Sequence, residues 1–514
     1  MKTIYIIFSL SLGLSLVLTP LVARFAKQYH LLDTPSARKV HTHPIARPGG
    51  VAIFLAFFLS LVPCFAFRTI LFETLALDHR IIYIALGACV AFGIGLWDDI
   101  RNLGPNMKFA AQGLAGLIAY VGGIRIETLG LPGISVLSLG WLSLPVTLLW
   151  ITLVINAINI IDGLDGLASG VSFLVCIVLF TLCMIDGKDP AVTIGLASLA
   201  GAILGFLRYN FNPASIFLGD SGSYFLGYML ATLSILGSMK SHTVVSILIP
   251  MIALGLPLMD TIWSAIRRFI LGQRLFYPDK DHFHHRLLKL GYSKQRAVMF
   301  LYGITICLGA IAFAVAYFRD IRTSLLVLTL LLLGVFFMFA IRRLRYLGYI
   351  NGEGVLGWFK DIGDEIGITR ERRTFLGKQV AIYEADNLSE LWDQTIKVAE
   401  EIDLSGISID LNPKYFNGGR PSNLSWKNGV PSLSPDLHRE DCLVVELPLI
   451  CNGACCGRLD LRKVLKEGNG DREILNRAEH LRRCLVRGLE HFIEKDVTRQ
   501  EVLKEGVVAP VHLT

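Results

Sequence analysis

The chain has 514 residues, of which 53% are hydrophobic and 18% charged, and its mean hydropathy is +0.54. This composition is too apolar for a soluble globular protein of this size and indicates a membrane protein. The formal net charge is +7, but residues 345–514 carry 23 basic and 27 acidic side chains, so the positive excess lies in residues 1–344. That excess suits anionic lipids and anionic substrates, and it argues against a nucleic-acid partner.

Apolar runs long enough to cross a bilayer follow one another as far as residue 341. They lie near residues 3–23, 49–67, 80–97, 107–122, 144–161, 166–185, 191–207, 223–239, 243–263, 297–317 and 323–341. The first run has the character of a signal peptide but lacks a cleavage site of small residues, so we expect it to be retained as the first helix. Eleven spans would place the two termini on opposite sides of the membrane.

Basic residues in the loops predict the orientation. The loops after odd-numbered spans contain 16 Lys and Arg residues, against eight on the other side, which places the first set in the cytoplasm. All the polar clusters fall on this predicted cytoplasmic side, at residues 38–50, 98–102, 162–166, 210–223 and 278–286. One cytoplasmic active site assembled from five loops is therefore predicted. On the outer side, residues 129–143 are rich in Gly and Ser and are expected to form a hairpin.

The stretch 156–167, NAINIIDGLDGL, ends the fifth apolar helix with two Asn and two Asp residues. Ionisable groups at membrane depth are rare and usually functional. We expect the helix to end near Asp162, and the next helix to begin with Asp165 near its N-terminus, where anions bind. Asn156 and Asn159 are three residues apart and share a helix face. Helix capping would explain one acid, but the four residues together predict a site.

Two further acidic clusters lie at predicted helix ends. Asp98 and Asp99 are adjacent, and they suit either Mg²⁺ binding or general-base catalysis; a pair of solvated interface acids is the alternative. Asp220 stands with Ser221 and Ser223 at the start of the eighth helix. There the backbone N–H groups could approach a phosphate, and an ordinary helix cap explains the residues equally well.

The segment PDKDHFHHR contains His282, His284 and His285 beside Arg286. Three His residues near an Asp suggest zinc, but the spacing matches no closed Cys/His pattern, and contacts with a diphosphate fit equally well. Carboxylates, helix N-termini and basic loops together predict phosphoryl transfer at a lipid surface. Catalysis of that reaction consists mainly of positioning and of charge neutralisation.

Residues 345–514 are predicted to form a soluble, cytoplasmic α+β domain. Strands are expected at 378–384, 406–412, 442–449 and 456–462, and then a helix follows with one apolar face formed by Ile474, Ala478, Leu481, Leu485, Leu489 and Phe492. The stretch VVELPLICNGACCGRLDL suggests a GAF-like fold, with a regulatory, partner-docking or purely structural role. Cys451, Cys455 and Cys456 could form a metal or redox site, but we expect them to be buried reduced thiols.

The motifs RPGGVAIF, GLWDD, NAINIIDGLDGLA, NFNPASIFLGDSGS and DHFHHR occur in this order over roughly residues 38–290. They resemble those of the polyprenyl-phosphate N-acetylhexosamine-1-phosphate transferases, glycosyltransferase family 4, which includes the initiators of O-antigen and teichoic acid. The resemblance implies a polytopic α-helical membrane domain over residues 1–344, with about 11 transmembrane helices, in the bacterial inner (cytoplasmic) membrane. The soluble C-terminal domain has no counterpart in the minimal family.

The resemblance also implies a reaction. N-acetylhexosamine-1-phosphate, in the first place GlcNAc-1-phosphate, would pass from a UDP-sugar to undecaprenyl phosphate with release of UMP, starting a lipid-linked cell-envelope glycan. Mg²⁺ would be required, with Mn²⁺ as an alternative. The partners implied are the UDP-N-acetylhexosamine, undecaprenyl phosphate and membrane lipids, with no nucleic acid; a homodimer is left open.

Site roles follow from the positions that match the family motifs. The expected catalytic residues are Asp98, Asp99, Asp162, Asp165, His282, His284 and His285; the expected substrate-binding residues are Asn156, Asn159, Asn210, Phe217, Lys39, Arg47 and Arg286; and the expected metal ligands are Asp220 and Asp98. Phe217 would stack on the uracil ring. Direct attack by the lipid phosphate, with Asp98 or Asp99 as base, is favoured over a covalent intermediate on an Asp.

The sequence departs from the family pattern at Asn102, where many relatives carry a third acid after the Asp pair. The RPGG and HxHHR forms resemble the N-acetylglucosamine branch more than the MurNAc-pentapeptide branch. The basic residue of the first loop is left open among Lys39, His41 and Arg47. A multi-pass membrane transporter or a sensor with a cytosolic regulatory domain is the alternative, but transporters place polar groups at the midplane on broken helices, often in inverted repeats.

Overall fold

The computed structural model describes much of the chain in separate segments. These are residues 2–33, 44–66, 78–101, 103–129, 137–185, 189–239, 248–270, 282–317, 382, 385, 388–401, 404–412, 423–427, 442–451, 454–464, 478, 481–486 and 488–490. The chain divides into two compact units. One unit is Met1–Ala265 with Pro278–Tyr346, and the other is Ile266–Tyr277 with Leu347–Thr514.

Helices make up most of the first unit. They are α1 (Lys2–Gln28), α2 (Gly50–Ala66), α3 (His79–Ile100), α4 (Pro105–Val121), α5 (Ser143–Ile161), α6 (Leu167–Ile185), α7 (Pro190–Asn210), α8 (Gly219–Met239), α9 (Leu248–Ala253), α10 (Gly255–Ile270), α11 (Phe283–Lys289) and α12 (Lys294–Tyr317). Residues 266–270 of α10 are assigned to the second unit. Two short antiparallel pairs accompany them: β1 (Leu32–Asp33) with β2 (Ile45–Ala46), and β3 (Thr128–Leu129) with β4 (Leu137–Ser138). The second pair confirms the hairpin predicted from the Gly- and Ser-rich loop.

Six of the described helices, α1, α3, α5, α6, α7 and α12, are long and apolar enough to cross a membrane. The protein is therefore a multi-pass membrane protein with a helical membrane part. The predicted ninth span is divided at Leu254 into α9 and α10. The predicted eleventh span, 323–341, and the domain boundary at 344/345 lie outside the described residues, so the count of eleven stays a prediction.

Close packing of α1 against α7 uses small residues. Gly201 and Gly205 of α7 lie so near the backbone of α1 that a Cβ on either glycine would collide with it. The hydroxyl groups of Ser11 and Ser15 donate to backbone carbonyls of α7 at 2.7 Å each. Small residues and hydroxyl hydrogen bonds are the usual means of joining helices in a bilayer, where apolar burial does not drive association. The predicted first helix is thus packed into the unit.

Backbone pairing joins the RPGG segment to the segment before α8. The N–H of Phe217 donates to the carbonyl of Ala46 at 2.8 Å, and the carbonyl of Phe217 accepts from the N–H of Gly49 at 3.0 Å. Gly50 at the start of α2 donates in turn to Leu218 at 2.9 Å. Two motifs about 170 residues apart in the sequence therefore lie side by side.

The second unit contains a four-stranded antiparallel sheet. Its strands β5 (Gly406–Leu411), β6 (Asn423–Lys427), β7 (Cys442–Cys451) and β8 (Ala454–Val464) are ordered β6-β5-β8-β7, and a helix α13 (Leu388–Glu401) precedes them. Three of the predicted strands are confirmed. Of the fourth, 378–384, only Ile382 is described and it is helical, so that prediction is wrong there. The described members of the predicted apolar helix face, Ala478, Leu481, Leu485 and Leu489, are buried in the core of this unit.

The cysteine cluster differs from the favoured expectation of reduced thiols. Cys451 and Cys456 form a disulfide across the β7–β8 hairpin, and Cys455 is a free, exposed thiol. The prediction failed because the sequence does not reveal that the pairing of β7 with β8 brings the two Cα atoms to 5.8 Å, a separation that disulfides span. The GAF-like assignment stays a prediction.

Candidate active site

Asp99, near the C-terminal end of α3, caps the first turn of α8. Its carboxylate accepts hydrogen bonds from the backbone N–H groups of Asp220 (2.8 Å) and Ser221 (3.0 Å) and from the Ser221 hydroxyl (2.6 Å). The Nε atom of Arg47 lies 3.1 Å from the same carboxylate. A negative charge is favourable there because the first N–H groups of a helix have no partner within it. We predicted that backbone N–H groups here could approach a substrate phosphate. Two of them instead donate hydrogen bonds to Asp99.

The turn before α8 requires glycine at position 219. Gly219 has a φ of +73°, a conformation that residues with a Cβ rarely adopt. A Cβ there would also lie 2.6 Å from both the Arg47 carbonyl and a carboxylate oxygen of Asp99. The Gly in FLGDSGS therefore makes room for Asp99 to reach the helix end.

Lys108, in the first turn of α4, joins the two residues predicted as metal ligands. Its ammonium nitrogen lies 2.6 Å from Asp98 Oδ2 and 3.2 Å from Asp220 Oδ2. From α5, the amide of Asn159 donates to Asp220 Oδ1 at 2.9 Å and to the hydroxyl of Ser223 at 3.0 Å. Four helices thus contribute polar side chains to one group around Asp220, which we call the Asp220 cluster: Asp98, Asp99, Lys108, Asn159 and Asp220.

Asp162 follows α5 directly and lies near this cluster. Its backbone N–H donates to the carbonyl of Asn159 at 3.2 Å, which ends the helix where the sequence predicted. Desolvation raises the pKa of Asp162 well above its ordinary value, and the negative charges of Asp220 and Asp99 raise it further. A carboxyl group perturbed both by burial and by like charges is typical of a functional site.

Three predicted site residues make their hydrogen bonds within the fold rather than with the Asp220 cluster. Asp165 accepts from the amide of Asn212 at 2.8 Å, which ties the DGLDG loop to the segment after α7. Asn210 is buried and accepts from the Ser169 hydroxyl at 2.6 Å. Asn156 donates to a glutamine of α4 at 2.7 Å. Their catalytic and substrate-binding roles stay predictions.

The His motif forms the start of α11 and lies against the DGLDG loop. His282, His284 and Arg286 are buried, and His285 is half-buried. The imidazole of His284 packs on Gly163 so closely that a Cβ on the glycine would collide with it. Burial, assisted by the neighbouring His residues, lowers the pKa of His284 well below its ordinary value. His284 is therefore neutral at pH 7 and suited to hydrogen bonding rather than to charge pairing.

The remaining site predictions have different outcomes. Lys39 lies outside the described residues, whereas Arg47 is paired with Asp99. Phe217 is half-buried beside the RPGG segment. Sequence reasoning assigned no role to Lys108, although a single Lys in the first turn of an apolar helix is a detectable signal. It also did not foresee that Ser221 would bind Asp99, because nothing local indicates a partner 122 residues away.

Comparisons with known proteins identify a family and several relatives. Residues 81–238 match the family model described as glycosyl transferase family 4. A probable undecaprenyl-phosphate N-acetylglucosaminyl 1-phosphate transferase of Bacillus subtilis is 38% identical over 303 residues, which cover 59% of this chain and 82% of the relative. A decaprenyl-phosphate N-acetylglucosaminephosphotransferase of Mycobacterium leprae is 32% identical, covering 58% and 79%. An undecaprenyl-phosphate alpha-N-acetylglucosaminyl 1-phosphate transferase of Thermotoga maritima is 32% identical, covering 53% and 78%.

The fold and the cluster together define a membrane enzyme whose polar groups stand at the ends of its helices. The chain belongs to glycosyl transferase family 4 and is a transferase, as its motifs indicate. The transporter or sensor alternative is therefore set aside.

Proposed function

We propose that this protein transfers GlcNAc-1-phosphate from UDP-GlcNAc to undecaprenyl phosphate, releasing UMP and starting a lipid-linked cell-envelope glycan. The names of the relatives with 32–38% identity support the class of donor and acceptor. The donor and the acceptor both carry phosphate groups, so the site must neutralise several negative charges at once.

The main structural support for this proposal is the position of the Lys108 ammonium group between two carboxylates. It lies within 3.2 Å of both Asp98 and Asp220, so the cluster already holds one cation between these acids. Two acids that converge on one cation could also hold a metal ion, which would neutralise negative charge on the substrate phosphates. Lys108 itself would then be free to bind a phosphate oxygen.

The donor set of the Asp220 cluster fits Mg²⁺. Among the described residues, no three His, Cys, Asp or Glu side chains form a preassembled metal site. Mg²⁺ is usually bound by one or two carboxylates, with water and substrate phosphates completing its shell. Asp220 and Asp98 would hold the ion, with Mn²⁺ as the alternative. When bound, it would supply charge neutralisation on the diphosphate; the zinc alternative for the His residues gains no support within the described part of the chain.

In the transfer step, an oxygen of the lipid phosphate forms a bond with the β-phosphorus of the UDP-sugar. The bond between that phosphorus and the bridging oxygen breaks, and UMP leaves with the bonding electrons. A monoester phosphate has lost most of its second proton at pH 7, so the attacking group needs orientation more than a strong base. Direct attack is therefore favoured over a covalent intermediate on an Asp.

Asp98, rather than Asp99, is the better choice for contact with the lipid phosphate. Every described interaction of Asp99 serves the start of α8 or the pairing with Arg47. Asp98 instead shares Lys108 with Asp220, at the centre of the cluster. We assign Asp98 the base or orienting role, Lys108 the binding of phosphate, and Asp99 the positioning of Asp220.

The location follows from the charge pattern of the loops. We place the Asp220 cluster, the His motif and the C-terminal unit at the cytoplasmic face of the bacterial inner membrane, with eleven spans in total. The 16-to-eight bias of basic residues supports this orientation, and the nucleotide donor is a cytosolic metabolite class. Undecaprenyl phosphate and the surrounding lipids would enter from the bilayer.

The test is UMP release by membranes containing the full-length protein, supplied with undecaprenyl phosphate and a panel of UDP-N-acetylhexosamines. We expect the highest rate with UDP-GlcNAc, loss of activity in EDTA, and its return with Mg²⁺. Asp220→Asn, inserted at the wild-type level, is expected to lower turnover at least about 100-fold because removing transition-state charge stabilisation costs that much. No UMP from any donor would contradict the proposal, and full activity of Asp220→Asn would remove that residue from the metal-binding role.

A further inference from the structure

Asp260, in α10, is a buried carboxylate next to the His motif. It is 1% exposed, and a buried charge of this kind is costly unless it is paired and hydrogen-bonded. Its Oδ1 atom accepts a hydrogen bond from the backbone N–H of Phe283 at 3.1 Å. Its Oδ2 atom lies 3.3 Å from Nδ1 of His282. Phe283 is the first residue of α11, and His282 is the N-cap residue before it.

The hydrogen bond to Phe283 compensates for a missing local cap. His282 is the N-cap residue of α11, and its own side chain makes no capping hydrogen bond. The first N–H groups of a helix need an external acceptor, and a carboxylate there also interacts favourably with the helix dipole. Asp260 supplies that acceptor from the preceding helix, so it fixes where the His motif begins.

The second oxygen of Asp260 points to the ring of His282. Both His282 Nδ1 and Asp260 Oδ2 are buried and have no hydrogen-bond partner in the described structure, and only 3.3 Å separates them, so each can serve as the partner of the other. An imidazole that donates Nδ1–H to a carboxylate keeps Nε2 free as an acceptor and holds its ring in one orientation. The ring of His282 is nearly parallel to that of His284, 9° apart with centroids at 5.9 Å, and His284 packs on Gly163 of the DGLDG loop.

We propose that Asp260 is a positioning residue of the transfer reaction. It fixes His282 as the Nδ1–H tautomer and sets the first turn of α11, so that Nε2 of His282 is directed at the phosphate groups of the substrates. This inference rests on the proposed function, since it supplies a role for His282 in phosphate recognition. It requires no further ligand.

The test compares Asp260→Asn with the matched control Thr261→Ala in full-length protein. The Asn variant keeps an oxygen for the Phe283 N–H but can present an amide N–H to His282, which favours the wrong tautomer. The Thr261 hydroxyl bonds only to the Pro257 carbonyl in its own helix, at 2.9 Å, among the described contacts. We expect kcat to fall roughly 10- to 100-fold in Asp260→Asn, with KM for the UDP-sugar and the melting temperature near wild type, and no change in the control.

A double-mutant cycle separates positioning from a structural effect. In a His282→Gln background, adding Asp260→Asn should lower kcat little further, because Asp260 acts through the imidazole. Asp260→Glu should regain part of the activity lost in Asp260→Asn. Multiplicative losses in the double variant, or wild-type kcat in Asp260→Asn, would overturn the inference.

A measurement without turnover distinguishes this inference from the proposed function. Solid-state NMR of ¹⁵N-histidine-labelled protein, with His282→Gln used for assignment, reports which ring nitrogen of His282 carries the proton. We expect the proton on Nδ1 in the wild type and its movement to Nε2 in Asp260→Asn. A wild-type His282 with its proton on Nε2 would contradict the inference even in an active enzyme. An inactive wild type with the expected tautomer would instead count against the proposed reaction.

Discussion

Asp98 and Asp99 are neighbours in the sequence but have different partners. Asp99 binds the first turn of α8, whereas Asp98 shares the Lys108 ammonium with Asp220. Successive residues of a helix point about 100° apart, so an adjacent pair readily serves two elements. In this Asp-Asp motif, Asp99 therefore stabilises the start of α8, and Asp98 interacts with the charged side chains of the site.

At Asp99, we predict that the substitution Asp99→Asn lowers stability as well as activity. The Asp99 side chain is 1% exposed and accepts three hydrogen bonds beside the half-buried Arg47, so the amide would remove the charge partner of Arg47 and an acceptor from the donors at the start of α8. A buried donor that loses its acceptor costs about 1–3 kcal/mol. Thermal unfolding of purified protein measures the effect, with Asp220→Asn as the comparison because the Asp220 side chain is 18% exposed. Equal melting temperatures for Asp99→Asn and the wild type would contradict the capping role.

The burial of His284 predicts that the folded protein loses stability at acidic pH. The pKa of His284 is lowered in the folded protein by burial, whereas in the unfolded chain it is about 6.5. The unfolded state therefore binds the proton more readily, and stability is complete above about pH 6.5 but is lost as the pH falls below that value. We expect the melting temperature of His284→Gln to fall less between pH 7.5 and 5.5 than that of the wild type. The control is His79→Gln, because His79 is exposed. If the melting temperatures of His284→Gln and the wild type depended on pH in the same way, this prediction would be wrong.

At the scale of elements, the site is made where loops and helix ends meet. The segment before α8 pairs with the RPGG segment, Asp165 ties the DGLDG loop to the segment after α7, and the His motif packs on the DGLDG loop. Each motif thus supports another motif. A small change in one loop should therefore affect groups on a different one.

Gly163→Ala tests this dependence directly. The added methyl group would collide with the imidazole of His284, so this ring must move away from the DGLDG loop. Displacements of about 1 Å can lower a rate roughly 100-fold, and we expect a loss of roughly 10- to 100-fold in UMP release. Gly113→Ala in α4 is the matched control, since a Cβ there meets nothing within 4 Å. Wild-type activity of Gly163→Ala would show that the contact does not position the His motif.

The sequence predicts the elements of the site better than their partners. The end of α5 at Asp162, the hairpin after α4 and three strands of the second unit follow from local patterns of glycine and apolar residues. The pairing of Ser221 with Asp99, and of Lys108 with Asp98 and Asp220, depends on which helices lie side by side. Helix order in the bundle is a property of packing, and no local pattern encodes it. The Cys451–Cys456 disulfide was missed for the same reason, because it depends on strand register.

For the whole molecule, the two units suggest that catalysis and its modification belong to different parts of the chain. The described site residues, from Arg47 to Arg286, belong to the first unit. The second unit has its own core of buried apolar residues around the β-sheet. We therefore predict that the second unit modifies transfer rather than performing it.

Removing residues 347–514 is expected to leave basal UMP release within about threefold of the full-length rate. All the residues that we assign to charge neutralisation remain in such a chain. A change of roughly threefold in rate is smaller than the tenfold change that about 1.4 kcal/mol of activation free energy produces. The measurement is UMP release per mole of monodisperse protein extracted from membranes. Loss of turnover in a truncated chain that is still folded would make the second unit part of the active site.

The nucleotide product shows most directly which bond of the donor breaks. Purified full-length protein would be incubated with UDP-GlcNAc, undecaprenyl phosphate and Mg²⁺, and the nucleotide and lipid products would be identified by mass spectrometry. Transfer of the sugar with its phosphate predicts UMP and an equal amount of undecaprenyl diphosphate-linked GlcNAc. Release of UDP with a lipid monophosphate sugar, or no lipid product at all, would contradict the account.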